Sequence, residues 1–64
     1  MKNQFVIMDK TATTGKDYLD AELNNVFNLE DAKIYDTKES AKKMIERWEY
    51  HMEKEADWAI IVEL

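Results

Sequence analysis

The sequence predicts a small α+β domain in which one long amphipathic helix packs on one face of a three- to four-stranded, mostly antiparallel sheet. Two observations favour this class. One stretch, residues 36–58, repeats apolar side chains at helical spacing. Two short runs rich in β-branched and aromatic residues lie at opposite ends of the sequence, at 3–9 and 58–64. With 64 residues, we expect a single domain covering 1–64.

Composition limits the ligands that so short a chain attracts. It has no Cys and one His, so we expect no disulfide, no metal site and no cofactor. Its net charge of -5 disfavours direct nucleic-acid binding and suits a partner with a basic surface. No apolar run approaches the ~20 residues that span a bilayer, and no cleavage-site pattern follows Met1. We therefore expect no membrane contact and a cytoplasmic location.

The first predicted element is a buried strand at 3–9, because its four central residues are apolar and occupy both faces. The polar stretch 10–16 contains the only Gly, Gly15, and predicts a turn or an exposed loop. Residues 28–32 predict a single helical turn with Asn28 as its cap.

Residues 17–27 fit two structures. Leu19, Ala21 and Leu23 alternate with polar residues, which is typical of a strand and is the interpretation that we favour. The same segment also fits one face of a helix capped by Asp17, so the alternative stays open.

The main helix is predicted to begin at Asp36, because Asp36 and Glu39 have the spacing of a capping box. A short strand, residues 33–35, leads into it. Acidic residues near its end oppose the helix dipole, so we predict fraying at 54–57 or an earlier end. Its apolar stripe comprises Ala41, Met44, Ile45, Trp48, Met52 and Ala56.

The last predicted strand, 58–64, is expected to pair with the first as a central neighbour. Because one helix covers only one face of the sheet, apolar residues should remain uncovered on the other. A homodimer through that face or a strand edge, and a monomer, are both left open. Alternation places Trp58, Ile60, Val62 and Leu64 on one face and Ala59, Ile61 and Glu63 on the other.

The sequence offers no constellation of catalytic residues. The only His, His51, falls at the edge of the apolar stripe, where a boundary residue is expected. Ser40 has no base near it in the sequence, and the carboxylates are too numerous to single out a pair. We therefore predict that the protein is not an enzyme.

The polar face of the helix is the predicted partner-binding site, with an outward Tyr50 as the anchor for a basic partner. Two like-charged pairs at i, i+4 spacing, Glu49 with Glu53 and Glu53 with Asp57, would weaken the helix without such a partner. The alternative is a solvated face mixed with lysines. The predicted site comprises Glu39, Glu46, Glu49, Tyr50, Glu53 and Asp57.

Residues 32–41 read Ala-Lys-Ile-Tyr-Asp-Thr-Lys-Glu-Ser-Ala, and residues 61–64 form a short Ile-Val-Glu-Leu ending. This half of the chain resembles short proteins encoded by phages and prophages of Gram-positive bacteria. The resemblance implies an α+β fold in the host bacterial cytoplasm. It also implies a host-takeover or anti-defence role, as in anti-CRISPR proteins, in which the chain binds and inhibits a host protein such as a defence nuclease. The alternative is a structural or regulatory module that acts through self-association.

Overall fold

One helix packs on an open, antiparallel sheet, so the predicted α+β class is confirmed, with five strands in place of three or four. A computed structural model describes residues 3–12, 15 and 17–64. A 3-10 turn at Leu29–Asp31 matches the predicted single turn, and Asn28 precedes it as predicted, but its side chain forms no capping hydrogen bond with the described residues. Within the described residues the main elements are β1 (Phe5–Asp9), β2 (Tyr18–Leu19), β3 (Asn25–Val26), β4 (Ile34–Tyr35), α1 (Lys38–Met52) and β5 (Ala59–Glu63).

The sheet is built around β1. All five of its residues pair antiparallel with β5, from Phe5 opposite Glu63 to Asp9 opposite Ala59. A strand has two edges, so β2 and β4 share the other edge: β4 lies beside the start of β1 and β2 beside Met8. Among the described strands, β3 pairs only with β2. The predicted pairing of the two terminal strands is confirmed, but β5 is an edge strand.

A tight hairpin turn joins β2 to β3, so residues 17–27 form strands, as favoured, and not a helix. The predicted alternation along one strand is wrong, because β2 spans only Tyr18–Leu19, and Ala21 and Leu23 lie in the connection to β3. The Leu23 N–H donates to the Asp20 carbonyl at 3.0 Å. The Asp20 carboxylate accepts from the N–H groups of Glu22 and Asn24, each at 2.9 Å. Leu23 has a φ of 59°, in the left-handed region that bulky side chains rarely adopt. It is only 6% exposed, so burial of its side chain holds this backbone conformation in place.

The helix begins one residue later than the capping box predicts. Thr37 is the N-cap, and its hydroxyl oxygen accepts from the Ser40 N–H at 3.1 Å. The prediction of Asp36 and Glu39 as the capping pair is therefore wrong. Thr37 satisfies the Ser40 N–H, one residue beyond the N–H that an Asp36 cap would reach, and does so from an extended backbone conformation, as N-cap residues generally do.

The helix ends early, as predicted, because the backbone turns left-handed after Met52. Glu53 has a φ of 53°, and its N–H donates to the Glu49 carbonyl. The Lys54 N–H donates to the same carbonyl at 3.3 Å. Ala56 therefore lies in the following loop, where it is buried, and is not part of the helical stripe.

The core lies between α1 and the sheet. Trp48 and Trp58 meet edge to face there, with their ring centroids 5.2 Å apart. The prediction that Trp58 shares a face with Ile60 and Val62 is wrong, because Trp58 lies in the turn before β5 and packs on the helix side. The buried cluster is Ile7, Leu19, Leu23, Tyr35 and Ala41, flanked by Phe5, Met44, Ile45, Trp48, Trp58, Ala59 and Ile61.

Tyr35 brings a polar group into this core. Its hydroxyl is buried, and no group in the described part of the chain forms a hydrogen bond with it. Burial, and then the negative charge of Asp20, raise the pKa of Tyr35 above its ordinary value. The folded protein therefore holds the phenol in its neutral form.

Replacing Tyr35 with Phe should raise the free energy of unfolding by about 1 kcal/mol, because it removes an unpaired buried hydroxyl. The gain should widen above about pH 10, where the unfolded chain ionises the phenol before the folded chain does, so the wild type loses stability as pH rises. Urea unfolding followed by circular dichroism, at neutral and alkaline pH, measures both effects. A less stable Phe variant would show that the Tyr35 hydroxyl forms a stabilising hydrogen bond.

Candidate functional site

Three of the four predicted partner-binding residues within α1 are exposed, and the fourth, Glu49, is half-buried. Glu39, Glu46 and Tyr50 lie on the outer surface of α1, and Tyr50 is 82% exposed. Glu46 precedes Tyr50 by four residues and Arg47 precedes it by three, so both flank the ring. The Tyr50 ring also meets that of His51 nearly perpendicularly, with centroids 5.9 Å apart. This face of the helix thus carries both signs of charge around one exposed aromatic ring.

Glu49 has a structural role, whereas the sequence predicted only a role in partner binding. It is half-buried, and its carboxylate accepts a hydrogen bond from the Ala56 N–H at 2.7 Å. Its carbonyl accepts the two bonds from Glu53 and Lys54 that close the helix. Glu49 therefore fixes the loop that follows α1, and this loop carries the other two predicted residues, Glu53 and Asp57.

Residues 49–57 carry a dense group of charges at the end of the helix, and we call them the acidic end. Four carboxylates and one ammonium give them a charge of -3, out of -5 for the whole chain. Glu55 belongs to this group but was absent from the predicted set. The helical pairing predicted for Glu53 and Asp57 does not form, because α1 ends at Met52. A shallow concavity of about 480 Å³ is lined by Glu49, Glu53, Lys54, Glu55, Ala56 and Asp57.

The acidic end works against local stability. The C-terminus of a helix carries a partial negative charge, so carboxylates there are unfavourable by a few tenths of a kcal/mol each. Glu53, Glu55 and Asp57 are all exposed, and no apolar burial accounts for their position. A surface that violates a local rule without structural gain is a candidate for function.

The second candidate surface is the sheet face turned away from α1. Directly opposed residues in an antiparallel pair share a face, so the observed register assigns each strand residue to one side. Apolar residues lie on the face turned away from α1, as predicted: Ile60 is 40% exposed there, whereas Val6 is fully buried. This open face comprises Val6, Met8, Tyr18, Val26, Ile34, Ile60 and Val62.

A smaller, largely apolar groove of about 360 Å³ lies between the β2–β3 turn and α1. Trp48 and Leu23 contribute apolar walls, and His51 lies at this boundary, where the sequence predicted it. Arg47 and Glu22 bring opposite charges to the same groove. This lining of apolar, basic and acidic side chains does not indicate one class of ligand.

Comparisons of the chain with protein-family models, with curated proteins and with solved structures found no match. Among the described residues, no helix is long and apolar enough to cross a membrane. In the same part of the chain, no group of three or more His, Cys, Asp or Glu residues is arranged to hold a metal ion. The acidic end and the open face of the sheet are therefore the features from which a function can be inferred.

Proposed function

We propose that this chain is a non-enzymatic interaction protein that binds a basic surface of a host protein through its acidic end and inhibits that protein. One observation supports the proposal most: nine residues hold -3 of the -5 net charge, at a helix end where stability favours cations. The resemblance to phage-encoded proteins suggests the inhibitory role. A nucleic-acid-binding protein, such as a defence nuclease, is the kind of partner whose basic surface carboxylates would cover in place of phosphates.

Charge alone would give such a complex little affinity, because exposed ion pairs contribute about 0–1 kcal/mol each. Tyr50 supplies the second element: it is an exposed aromatic ring within the acidic end, in the last turn of α1. Aromatic anchors that become desolvated carry a large share of binding energy, while surrounding charges mainly accelerate and orient association. The complex should therefore weaken as salt concentration rises.

Neutralising the acidic end should change stability and binding in opposite directions. In the variant Glu53→Gln, Glu55→Gln, Asp57→Asn, which we call the neutralised variant, Glu49 is kept because it holds the loop. Its free energy of unfolding should rise by about 1 kcal/mol, because three charges leave the negative end of the helix. Urea unfolding measures this without any partner. A drop of similar size would mean that these carboxylates serve the fold.

Binding is tested by capture from a bacterial lysate on three immobilised baits: the wild type, the neutralised variant, and a matched control, Glu22→Gln, Glu30→Gln, Asp31→Asn. The control removes the same number of exposed charges from another part of the surface. We expect the wild type and the control to capture the same basic protein, and added DNA to displace it. Equal capture by the neutralised variant would refute the proposed role of the acidic end.

A module that acts through self-association is the second candidate function. The open face favours it, because apolar side chains from all five strands lie together on the side of the sheet away from α1. In that case the acidic end would serve solubility.

A further inference from the structure

We propose that two copies of this chain form a symmetric dimer in which β5 pairs antiparallel with β5 of the second copy, centred on Ile61. The strand β5 pairs with β1 along one edge, and no other described strand pairs with its second edge. Edge strands are usually protected by Pro, by bulges or by several charges. The five residues of β5 contain no Pro, and Glu63 is their only charged residue.

Hydrogen bonds at both ends of the β1–β5 ladder show which backbone groups face this free edge. The Leu64 N–H donates to the Gln4 carbonyl at 2.8 Å, and the Lys10 N–H donates to the Trp58 carbonyl at 2.9 Å. Bonded pairs alternate in an antiparallel ladder, so even-numbered residues of β5 point their backbone groups toward β1. The backbone groups of Ile61 and Glu63 therefore point outward, away from the sheet.

Charge decides the register of the second copy. Centring on Ile61 places Glu63 opposite Ala59 of the second copy, and Ile60 opposite Val62 of the second copy. The two Glu63 residues are then four positions apart, or roughly 14 Å along the strands. Centring on Val62 instead would bring them to roughly 7 Å, where like charges repel more strongly. The first register also aligns all five residues of β5.

The chain has enough exposed area to supply an interface on each copy. The chain exposes 4810 Å², whereas the usual scaling gives about 4,300 Å² for a compact monomer of this mass. Covering an excess of about 500 Å² on each copy would bury about 1,000 Å² in total, which reaches the lower limit for a specific interface. The dimer would also join the open faces of two sheets, where Ile60 is the most exposed member within β5.

The mass in solution tests the dimer, with two substitutions of one residue as a matched pair. Glu63→Pro removes an outward N–H and leaves the β1–β5 bonds intact, whereas Glu63→Ala removes the same side chain and keeps the N–H. By sedimentation across a concentration range, the wild type and Glu63→Ala should reach twice 7.6 kDa. Glu63→Pro should stay monomeric. A monomeric wild type, or a dimeric Glu63→Pro, would overturn the proposal.

Disulfide formation tests the register independently of any Pro variant. The chain has no Cys of its own, so Ile60→Cys and Val62→Cys can be oxidised separately and as a mixture. These two positions form a closely spaced, non-hydrogen-bonded pair in the proposed register, which suits a disulfide. Only the mixture should cross-link. Cross-linking of Val62→Cys alone would overturn the register, and no cross-linking in any sample would overturn the pairing itself.

Discussion

Replacing Trp48 with alanine should lower the free energy of unfolding by about 3–5 kcal/mol, the usual range for removing a large aromatic side chain from a core. Trp48 packs against the buried cluster and meets Trp58 edge to face, with the two ring centroids 5.2 Å apart. Trp48 therefore joins α1 to the turn before β5. A domain of this size has roughly 3–10 kcal/mol of total stability. The expected loss is therefore a large fraction of the total stability, and the urea concentration at the unfolding midpoint should fall strongly.

Far-UV circular dichroism during urea unfolding is the appropriate measurement, because the substitution removes one of the two Trp fluorophores. Tyr50→Ala is the matched control: it removes an aromatic ring from the same helix, but at an exposed position. Its effect should stay within about 0.5 kcal/mol. If Trp48→Ala cost no more than this control, the helix would not be held by the packing described here.

The second large effect concerns Leu23, where alanine and glycine should rank in an unusual order. Leu23→Ala should cost about 2–5 kcal/mol through lost burial. Leu23→Gly loses the same side chain but fits a φ of 59° without strain, so it should retain roughly 1 kcal/mol more stability than the alanine variant.

Leu19 provides the control for this comparison. It is fully buried, and it lies in β2 with an ordinary strand backbone. Glycine there should be less stable than alanine, by about 0.5–1 kcal/mol. Urea unfolding of all four variants gives both rankings. The same ranking at both positions would show that the left-handed conformation of Leu23 stores no strain.

The periodicity of apolar residues and the positions of turn-forming residues were sufficient to predict the helix, the two terminal strands and the pairing of those strands. They failed where the outcome depends on single backbone conformations. Thr37 and Asp36 are both suitable N-caps, so composition alone does not choose between them. Alternation placed Trp58 with Ile60, but a strand pattern says nothing about the turn before it, and the contact with Trp48 decides the side. The left-handed conformation at Leu23 depends on tertiary burial.

The candidate site was predictable in composition but not in geometry. The sequence indicated an acidic surface near Tyr50, and the exposure of that residue is confirmed. It could not locate the end of the helix, because Glu53 adopts a left-handed conformation that usually requires Gly or Asn. Asp57 therefore lies in a loop instead of continuing the predicted helical row, and Glu55 lies in the same loop. The bond from the Ala56 N–H to Glu49 gave no sequence signal at all.

We propose that the acidic end is a distinct site for a basic partner. Titrating the ¹⁵N-labelled chain with an oligoarginine peptide and following its amide resonances tests this directly. We predict that the largest shifts fall on residues 49–57, and that they disappear in the neutralised variant while the matched control keeps them. Shifts of equal size at other exposed acidic residues, such as Glu22, Glu30 and Glu39, would show that the peptide binds a diffuse negative surface and that the acidic end is not a distinct site.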